Sequence, residues 1–290
     1  MSATRSRGLV GAHAPIRGGL ATGSLAYAAR MGAEVIQVFV TNPRAWRTSP
    51  IDLEQASALR RHVEATGFPV FVHAPYLINL GSPDEWTRSS SARLLGECLR
   101  RADLIGARGV VVHTGSAITS DREAGLKRMR ETLLPILDSL GPGSPELLLE
   151  PMAGQGQMLC ATIADLGPYL SALDRHPRAK LCLDTCHLFA AGHDLTANRG
   201  VAQMLSELIG VADGRLRLIH ANDSRDECGS RRDRHVNLGD GRIGVPPFGV
   251  LLRHPTTAGV PFVVETPDTD GGQARDIATL KRLRAGRPSA

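Results

Sequence analysis

Short apolar runs recur along the chain, separated by stretches in which apolar residues follow a helical spacing. Most runs are nearly continuous in apolar residues, which is typical of parallel strands covered on both faces. Eight runs can be distinguished: LVGAHAP (9–15), VIQVFV (35–40), VFVHAPY (70–76), GVVVHTGS (109–116), ELLLEP (146–151), LCLDTCH (181–187), RLRLIHANDS (215–224) and PFVVETP (261–267). The pattern predicts eight strands that alternate with helices.

The segments between the runs favour helices. In SSSARLLGECLRRADLIGA (89–107) apolar residues recur at helical spacing, and Gly106 and Gly109 close this helix and open the next strand. Eight alternating strands and helices predict an α/β fold, a (β/α)8 TIM barrel. An open doubly wound sheet is the alternative, but no GxGxxG motif follows the first run. We expect a single domain over residues 1–290, with a basic tail at about 284–290.

The predicted strands share a feature at their carboxyl ends. Six consecutive strands finish on side chains that can bind metal, and in a barrel all these ends open on the face that holds the active site. The long loop after the seventh strand, roughly residues 221–245, adds an aspartate and a histidine two residues apart. The set is His73, His113, Glu150, Asp184, His187, His220 and Glu265 at the strand ends, with Asp233 and His235 in the loop.

These nine side chains predict a metal centre. A lone histidine at a strand end is more often a core residue, but burying nine ionisable groups together is prohibitive unless they are paired or bound to metal. Neutral imidazoles cannot balance four carboxylates, whereas divalent cations can. Five His, two Asp and two Glu suit Zn²⁺, with Mn²⁺ or Fe²⁺ as substitutes. Two or three metals that share a carboxylate are predicted.

Composition and charge limit the classes of protein to which this chain can belong. Hydrophobic residues make up 42% and charged residues 22%, as in a soluble globular protein. The net charge of +5 fits a polyanionic partner such as nucleic acid, although many soluble proteins are mildly basic for no specific reason. The five cysteines lack metal or redox spacing, which predicts buried free thiols in a reducing cytosol. Without a signal peptide or membrane-spanning run, we expect a cytoplasmic protein.

A cluster of metals in a basic protein suits hydrolysis of a phosphate ester. Clustered metals generate hydroxide near neutral pH, neutralise charge on the phosphoryl oxygens and stabilise the leaving oxygen. Nucleophilic catalysis by cysteine is a weaker alternative, because Cys182 and Cys186 sit inside or beside a strand and are more simply explained by core packing.

Longer motifs surround the candidate ligands and span most of the chain. They are HAPYLINLGSP (73–83), VVHTGS (111–116), AGQG (153–156), DTCHLFAAG (184–192), HANDS (220–224), GSRRDRHVNLGDG (229–241) and ETP (265–267). Together and in this order, they resemble the endonuclease IV family, the zinc-dependent apurinic/apyrimidinic endonucleases of DNA base-excision repair. The HxPYLINL, DTCH and DRHxNLGxG patterns are its most specific signals.

The resemblance implies three zinc ions and a ligand set for each. The first zinc would be held by His73, His113 and Glu150. The second would share Glu150 and would also be held by Asp184, His220 and Glu265. The third would be held by His187, Asp233 and His235, so Asp184 and His187 would not share a metal.

The resemblance also implies the reaction and the substrate. The family cleaves the phosphodiester 5′ to an abasic site in duplex DNA and leaves a 3′-hydroxyl and a 5′-deoxyribose phosphate, with Glu150 in the catalytic position that orients the attacking hydroxide. Arg44, Tyr76 and Leu77 match family loops that bend and open the duplex. Arg234 would face phosphates. We expect a monomer.

The chain departs from the family after the fifth strand. The family reads ENTAGQG, whereas this chain reads EPMAGQG, so Pro151 and Met152 replace a polar pair. Proline keeps Glu150 extended but removes a backbone donor and an amide from the surroundings of the ligand, where such groups orient metal-binding side chains. The departure bears on metal affinity at Glu150 and not on the family.

Two other functions compete with the nuclease. A sugar isomerase or epimerase of the xylose-isomerase-like barrels would share the fold and use metal carboxylates, but needs one or two metals and no DNA wedge. A catalytically weak binder of damaged DNA is the third alternative. The Asp233–His235 pair and the loops with Arg44 and Tyr76 favour the nuclease. His13, His193 and His254 match no ligand position, and Trp46 is expected in the core; these are interpreted as structural.

Overall fold

The computed structural model describes residues 7–286, and in this range eight parallel strands close into a barrel. In chain order the strands are β1 (Val10–His13), β2 (Ile36–Val38), β3 (Val70–His73), β4 (Gly109–His113), β5 (Glu146–Glu150), β6 (Ala179–Asp184), β7 (Leu216–His220), β8 (Asp223–Ser224), β9 (His235–Val236) and β10 (Phe262–Val264). The short strands β8 and β9 pair with each other outside the barrel. Each of the eight predicted runs overlaps one barrel strand, so the predicted TIM barrel is confirmed.

Helices lie on the outside of the barrel between the strands. They are α1 (Thr22–Met31), α2 (Leu53–Thr66), α3 (Glu85–Leu104), α4 (Arg122–Asp138), α5 (Ile163–Ala172), α6 (Thr185–Ala191), α7 (Asn198–Ala212), α8 (Pro246–Arg253) and α9 (Gly272–Arg284). Asp52, Asp84 and Asp121 each cap a helix by accepting a hydrogen bond from a backbone N–H of its first turn. The main apolar core lies between this layer of helices and the barrel.

A second, smaller apolar cluster fills the inside of the barrel. Its members come from successive strands and alternate with residues that face the helices, as the period of two in a strand requires. They are Val35, Phe71, Val111, Leu148, Cys182, Leu218 and Val263, with Leu9 packed against them. Gly11 lies beside this layer, where a Cβ atom would stand 1.7 Å from the carbonyl oxygen of Val35. Only glycine fits at that point.

The register of the strands aligns side chains at one end of the barrel. His113 pairs with Glu150 across β4 and β5, and Asp184 pairs with His220 across β6 and β7. An irregularity between Leu181 and Cys182 shifts the register of β6 just before that second pair. A bulge of this kind re-aims the side chains that follow it.

One smaller prediction needs correction in detail. Cys98, Cys160, Cys182 and Cys186 are buried free thiols as expected, but Cys228 is exposed. The predicted tail starts at about the end of α9, whose last residue, Arg284, pairs with Glu34; residues 287–290 lie outside the described residues. No helix within residues 7–286 combines the length and the apolar character needed to cross a membrane.

Candidate metal centre

Side chains from all eight barrel strands meet at the carboxyl end of the barrel. In seven strands the polar side chain comes two residues after a member of the inner apolar cluster, so both point into the barrel. The ring consists of His13, Gln37, His73, His113, Glu150, Asp184, His220 and Glu265. His187 joins it from α6, and Asp233 and His235 join it from the loop after β7. The structure thus brings all nine predicted ligands together.

Glu150 lies at the centre of this ring and is fully buried. Its Oε2 atom is 3.2 Å from Nε2 of His73 and 3.5 Å from Nε2 of His113. Its Oε1 atom is 2.9 Å from Nδ1 of His220 and 3.5 Å from Nδ1 of His187. The two oxygens therefore face different groups of histidines, as a bridging carboxylate would.

Asp184 lies between His220 on β7 and His235 in the loop after β7. Its Oδ1 atom accepts hydrogen bonds from the backbone N–H groups of Cys186 and His187, so it caps α6, which starts directly after the strand. Its Oδ2 atom is 3.9 Å from Nδ1 of His220 and 3.4 Å from Nε2 of His235. This cap gives the carboxylate at the end of the buried strand a structural partner, and His187 follows it in the first turn of α6.

Asp233 lies between two imidazoles at the rim. Its carboxylate oxygens are 3.2 Å from Nε2 of His187 and 2.9 Å from Nε2 of His235. Both Nε2 atoms are buried and lack a hydrogen bond of acceptable geometry, although buried polar atoms are nearly always satisfied. Two buried imidazole nitrogens that lack a hydrogen bond and lie on either side of one carboxylate are the arrangement expected at a cation-binding site.

The distances between ligand atoms show whether the candidate ligands lie close enough together to hold metal ions. Ligand atoms within 4.8 Å of one another define several sets of three. Among them are His73, His113 and Glu150; His73, His220 and Glu265; and His187, Asp233 and His235. Imidazole nitrogens and carboxylate oxygens in such sets are the donors that Zn²⁺ and similar divalent metals prefer. The residues therefore fit a centre with more than one metal.

Burial and neighbouring charges shift the pKa values of the candidate ligands in different directions. Burial disfavours the charge on Glu150, but His220 and His73 outweigh it and hold the pKa of Glu150 well below its usual range. Burial lowers the pKa of His113 to about 4 against the opposing pull of Glu150, which keeps His113 neutral. For His235, burial is outweighed by Asp184 and Asp233, which raise its pKa to about 9. The rim of the centre thus attracts positive charge strongly.

Backbone carbonyls hold two of the histidines. Nδ1 of His73 is 2.7 Å from the carbonyl oxygen of Ala74, and Nδ1 of His187 is 3.0 Å from that of Pro151. Such contacts fix the orientation of the ring and leave the other nitrogen for a metal. Pro151, where the chain departs from the family pattern, thus still supplies an oriented acceptor through its carbonyl.

The loop that carries Asp233 and His235 is fixed by a buried carboxylate. Asp223 is fully buried and accepts hydrogen bonds from five backbone N–H groups, those of Ser224, Gly239, Gly241, Ile243 and Gly244, at 2.8–3.3 Å. The β8–β9 pair then sets His235 opposite Ser224. Asp223 is not among the predicted site residues, although it lies in the HANDS motif.

The predicted DNA contacts lie on loops that leave the same face of the barrel. Tyr76 follows β3, is 55% exposed, and its ring lies 6.0 Å from that of His113, while Leu77 is half-buried. Arg44 is exposed in the loop after β2, and nearby Trp46 packs against the core as predicted. Arg234 is paired with Asp226, so a phosphate would have to compete with this carboxylate.

A cavity of about 340 Å³ opens above the ring, between these loops. It is lined by His13, Phe39, His73, Tyr76, His113, His187, Asp233, His235, Glu265 and Gln273. His13, which was interpreted as structural, lies 3.4 Å from a carboxylate oxygen of Glu265 and belongs to this lining. The signal for it was available, because His13 ends the first apolar run.

Comparison with known proteins agrees with this geometry. Residues 25–283 match the family described as xylose isomerase-like TIM barrel. A Streptomyces coelicolor protein named "Probable endonuclease 4" is 51% identical over 288 residues, which cover 98% of each chain. The solved structure of endonuclease IV from Thermus thermophilus superposes with a TM-score of 0.83 at 30% identity, covering 96% of this chain and 99% of that one.

Sugar epimerases share the fold at a greater distance. The structure of 3-keto-D-glucoside 4-epimerase from E. coli superposes with a TM-score of 0.67 at 15% identity, which shows a common barrel and no more. The full-length relatives are nucleases by name, and they match at far higher identity. The chain therefore belongs to the endonuclease IV family of the xylose isomerase-like TIM barrels.

Proposed function

We propose that the protein is a DNA-repair endonuclease that hydrolyses the phosphodiester 5′ to an abasic site in duplex DNA, leaving a 3′-hydroxyl and a 5′-deoxyribose phosphate. The observation that carries this proposal is the convergence of four carboxylates, with Glu150 at their centre, and five imidazoles at the mouth of a barrel. Membership of the endonuclease IV family gives the substrate class. Nothing in the site favours the sugar epimerase alternative.

The ligand sets support three metal positions, and we propose Zn²⁺ at each. His73 and His113 face one oxygen of Glu150, and His220 faces the other. Nδ1 of His220 also lies 3.9 Å from a carboxylate oxygen of Asp184 and 3.3 Å from one of Glu265. His187, Asp233 and His235 form the third set. When bound, clustered divalent metals would activate water near neutral pH, neutralise the phosphoryl oxygens and stabilise the leaving oxygen.

The chain's own residues would orient the reactants. Glu150 is kept ionised, so it can accept a hydrogen bond from the attacking water and direct that water toward phosphorus. The neutral imidazole of His113 offers a lone pair and not a proton. Buried apolar side chains beneath the ring, such as Leu148 and Leu218, keep bulk water away from the floor of the site.

Recognition would depend on loops at the rim, because an abasic site offers no base edge to read. Arg44, Tyr76 and Leu77 would enter the stack at the gap, and Arg234 would face the phosphate backbone; the exposure of Arg44 and Tyr76 supports this. A monomer is part of this proposal, because the proposed centre needs no residue from a second copy. The DNA substrate also supports the cytoplasmic location predicted from the sequence.

A cleavage assay on defined duplexes tests the proposal. Purified protein, with its metal content measured, is incubated with a duplex that carries one abasic site and with the same duplex undamaged. We expect a single cut immediately 5′ to the lesion, a product end that a polymerase can extend, and no cut in the undamaged control. Metal-loaded protein that binds the abasic duplex without cutting it would instead indicate a damage binder, and conversion of ketose sugars would indicate an epimerase.

A further inference from the structure

Gln37 is a polar residue of the barrel ring that does not belong to any ligand type. Its side chain, on β2, is fully buried and comes two residues after Val35 of the inner apolar cluster. A buried amide is unfavourable unless its hydrogen bonds are made. We infer that Gln37 is a positioning residue that fixes the orientation of His220 and Glu265 for metal binding, an inference that rests on the proposed metal-dependent function.

The amide of Gln37 contacts three members of the ring. Its Nε2 atom donates to Oε1 of Glu265 at 2.6 Å and lies 3.0 Å from Nδ1 of His13. Its Oε1 atom lies 2.9 Å from Nε2 of His220. All the polar atoms of the amide are therefore engaged with side chains of the candidate metal centre.

The carboxylate of Glu265 determines which way this amide points. In the flipped orientation the amide oxygen would face a carboxylate oxygen, and two acceptors would repel each other. The nitrogen must therefore face Glu265, and the oxygen must face His220. This assignment follows from chemistry and does not depend on distinguishing nitrogen from oxygen by position alone.

The fixed amide in turn determines the tautomer of His220. Because Gln37 presents an acceptor, Nε2 of His220 must carry a hydrogen and donate it. Nδ1 is then the nitrogen left to bind a cation, and it points at Oε1 of Glu150, 2.9 Å away, and at Oε2 of Glu265, 3.3 Å away. Gln37 thus turns the metal-binding nitrogen of His220 toward the two carboxylates.

Because of the same contact, the two oxygens of the Glu265 carboxylate have different partners. Oε1 is held by Gln37 and lies 3.4 Å from Nδ1 of His13. Oε2 is the atom closer to His220 and is left to face the cation position. One amide therefore restrains two proposed ligands of the same ion, which come from β7 and from the end of β10.

The test compares two variants that lose similar hydrogen bonds. Gln37→Met keeps the length of the side chain and removes the amide. Gln55→Leu is the matched control, because Gln55 accepts hydrogen bonds from the backbone N–H groups of Ala21 and Thr22, away from the ring. The full chain of each variant is titrated with Zn²⁺ against a chelator, and thermal unfolding is recorded with and without the metal.

We expect Gln37→Met to lower the affinity for one zinc ion by about 10–100-fold and to leave the affinities for the other zinc ions unchanged. Gln55→Leu should bind every zinc as the wild type does, even if it unfolds earlier. Wild-type affinity at every position in Gln37→Met would overturn the inference, as would an equal weakening of all positions. If Gln37→Met does not fold, Gln37→Asn, whose shorter amide cannot reach His220 and Glu265 together, is judged by the same criteria.

This experiment separates the inference from the proposed function. Zinc affinity is measured without DNA, so selective loss of one zinc in Gln37→Met supports the role of Gln37 even if the wild type fails to cut abasic DNA. Conversely, a wild type that cuts abasic DNA while Gln37→Met binds zinc normally would leave the nuclease standing and remove the inference.

Discussion

Oε1 of Glu150 and Nδ1 of His220 lie 2.9 Å apart, although the two residues stand on β5 and β7 with a whole strand between them. Both side chains are fully buried. The two side chains meet past Asp184, which lies on the intervening β6 and caps α6 with one of its oxygens. Glu150 thus contacts histidines of β3, β4 and β7.

The central place of Glu150 predicts the effect of removing its charge. Glu150→Gln keeps the size of the side chain, so DNA affinity should stay near the wild-type value, while cleavage of an abasic duplex should fall by about 10²–10⁴-fold. Single-turnover cleavage and a binding titration measure the two effects. Glu146→Gln, at the opposite end of the same strand and paired with Arg217, is the control and should cleave normally. Near wild-type cleavage by Glu150→Gln would show that Glu150 neither bridges nor orients.

The ligand sets predict the metal content. Elemental analysis of protein purified without chelator should give two to three transition-metal ions per chain, mainly zinc. Prolonged chelation should abolish cleavage and lower the unfolding temperature, because four carboxylates and several imidazoles then share one site without a cation. Added Zn²⁺ should restore both properties. One ion or none in active protein would rule out the trinuclear centre.

The ligand ring was predictable because strand ends and strand period are local properties. The strands that end at His73, His113 and Glu150 stop on a chemically distinctive residue, and the barrel rule places these residues at one face. His13 and Gln37 obey the same period. His13 is interpreted as structural from the sequence because it matches no ligand position, and Gln37 is neutral and lies inside an apolar run.

Contacts between residues that are far apart in a long loop could not be predicted from the local sequence pattern. The five backbone groups around Asp223 come from residues up to 21 positions away, and nothing in the spacing of GDGRIG indicates which carboxylate they bind. The pairing of Arg234 with Asp226 has the same origin. Such contacts depend on how the loop folds back on the barrel, which only the three-dimensional structure gives.

The structure supports a specific prediction about metal affinity at Pro151 and Met152, where the chain departs from the family pattern. The acceptor for His187 is the backbone carbonyl of Pro151, and the N–H of Met152 bonds to the carbonyl of Cys160. Both groups exist whatever the side chains are. The double change Pro151→Asn with Met152→Thr, which restores the family's pair, should therefore alter metal affinity by no more than about 10–100-fold. Zinc titration and cleavage measure this, and loss of fold or activity would mean that this loop is built differently from the family's.

Asp223 should stabilise the loop that carries two proposed ligands. Asp223→Asn replaces one acceptor oxygen by an N–H₂ group that faces backbone donors, so the free energy of unfolding should fall by about 1–3 kcal/mol or more. Hydrogen exchange should quicken at residues 239–244. Asp226→Asn, which breaks rim ion pairs with Arg234 and Arg232 on the same loop, should cost much less. Equal exchange in both variants would contradict this role for Asp223.

The last prediction concerns how the lesion is found. Only a damaged site lets an apolar wedge enter the base stack at low cost, since no base has to be displaced there. Tyr76→Ala with Leu77→Ala should therefore weaken binding to an abasic duplex more than binding to an intact one. Paired titrations at one ionic strength measure the difference, and Trp86→Ala, which removes a comparably exposed aromatic ring, is the control and should change both affinities alike. Affinity for both duplexes should fall with salt, because Lys and Arg release counterions from the phosphates. Equal losses on the two duplexes in the double variant would mean that Tyr76 and Leu77 serve packing or general DNA affinity and do not recognise the gap.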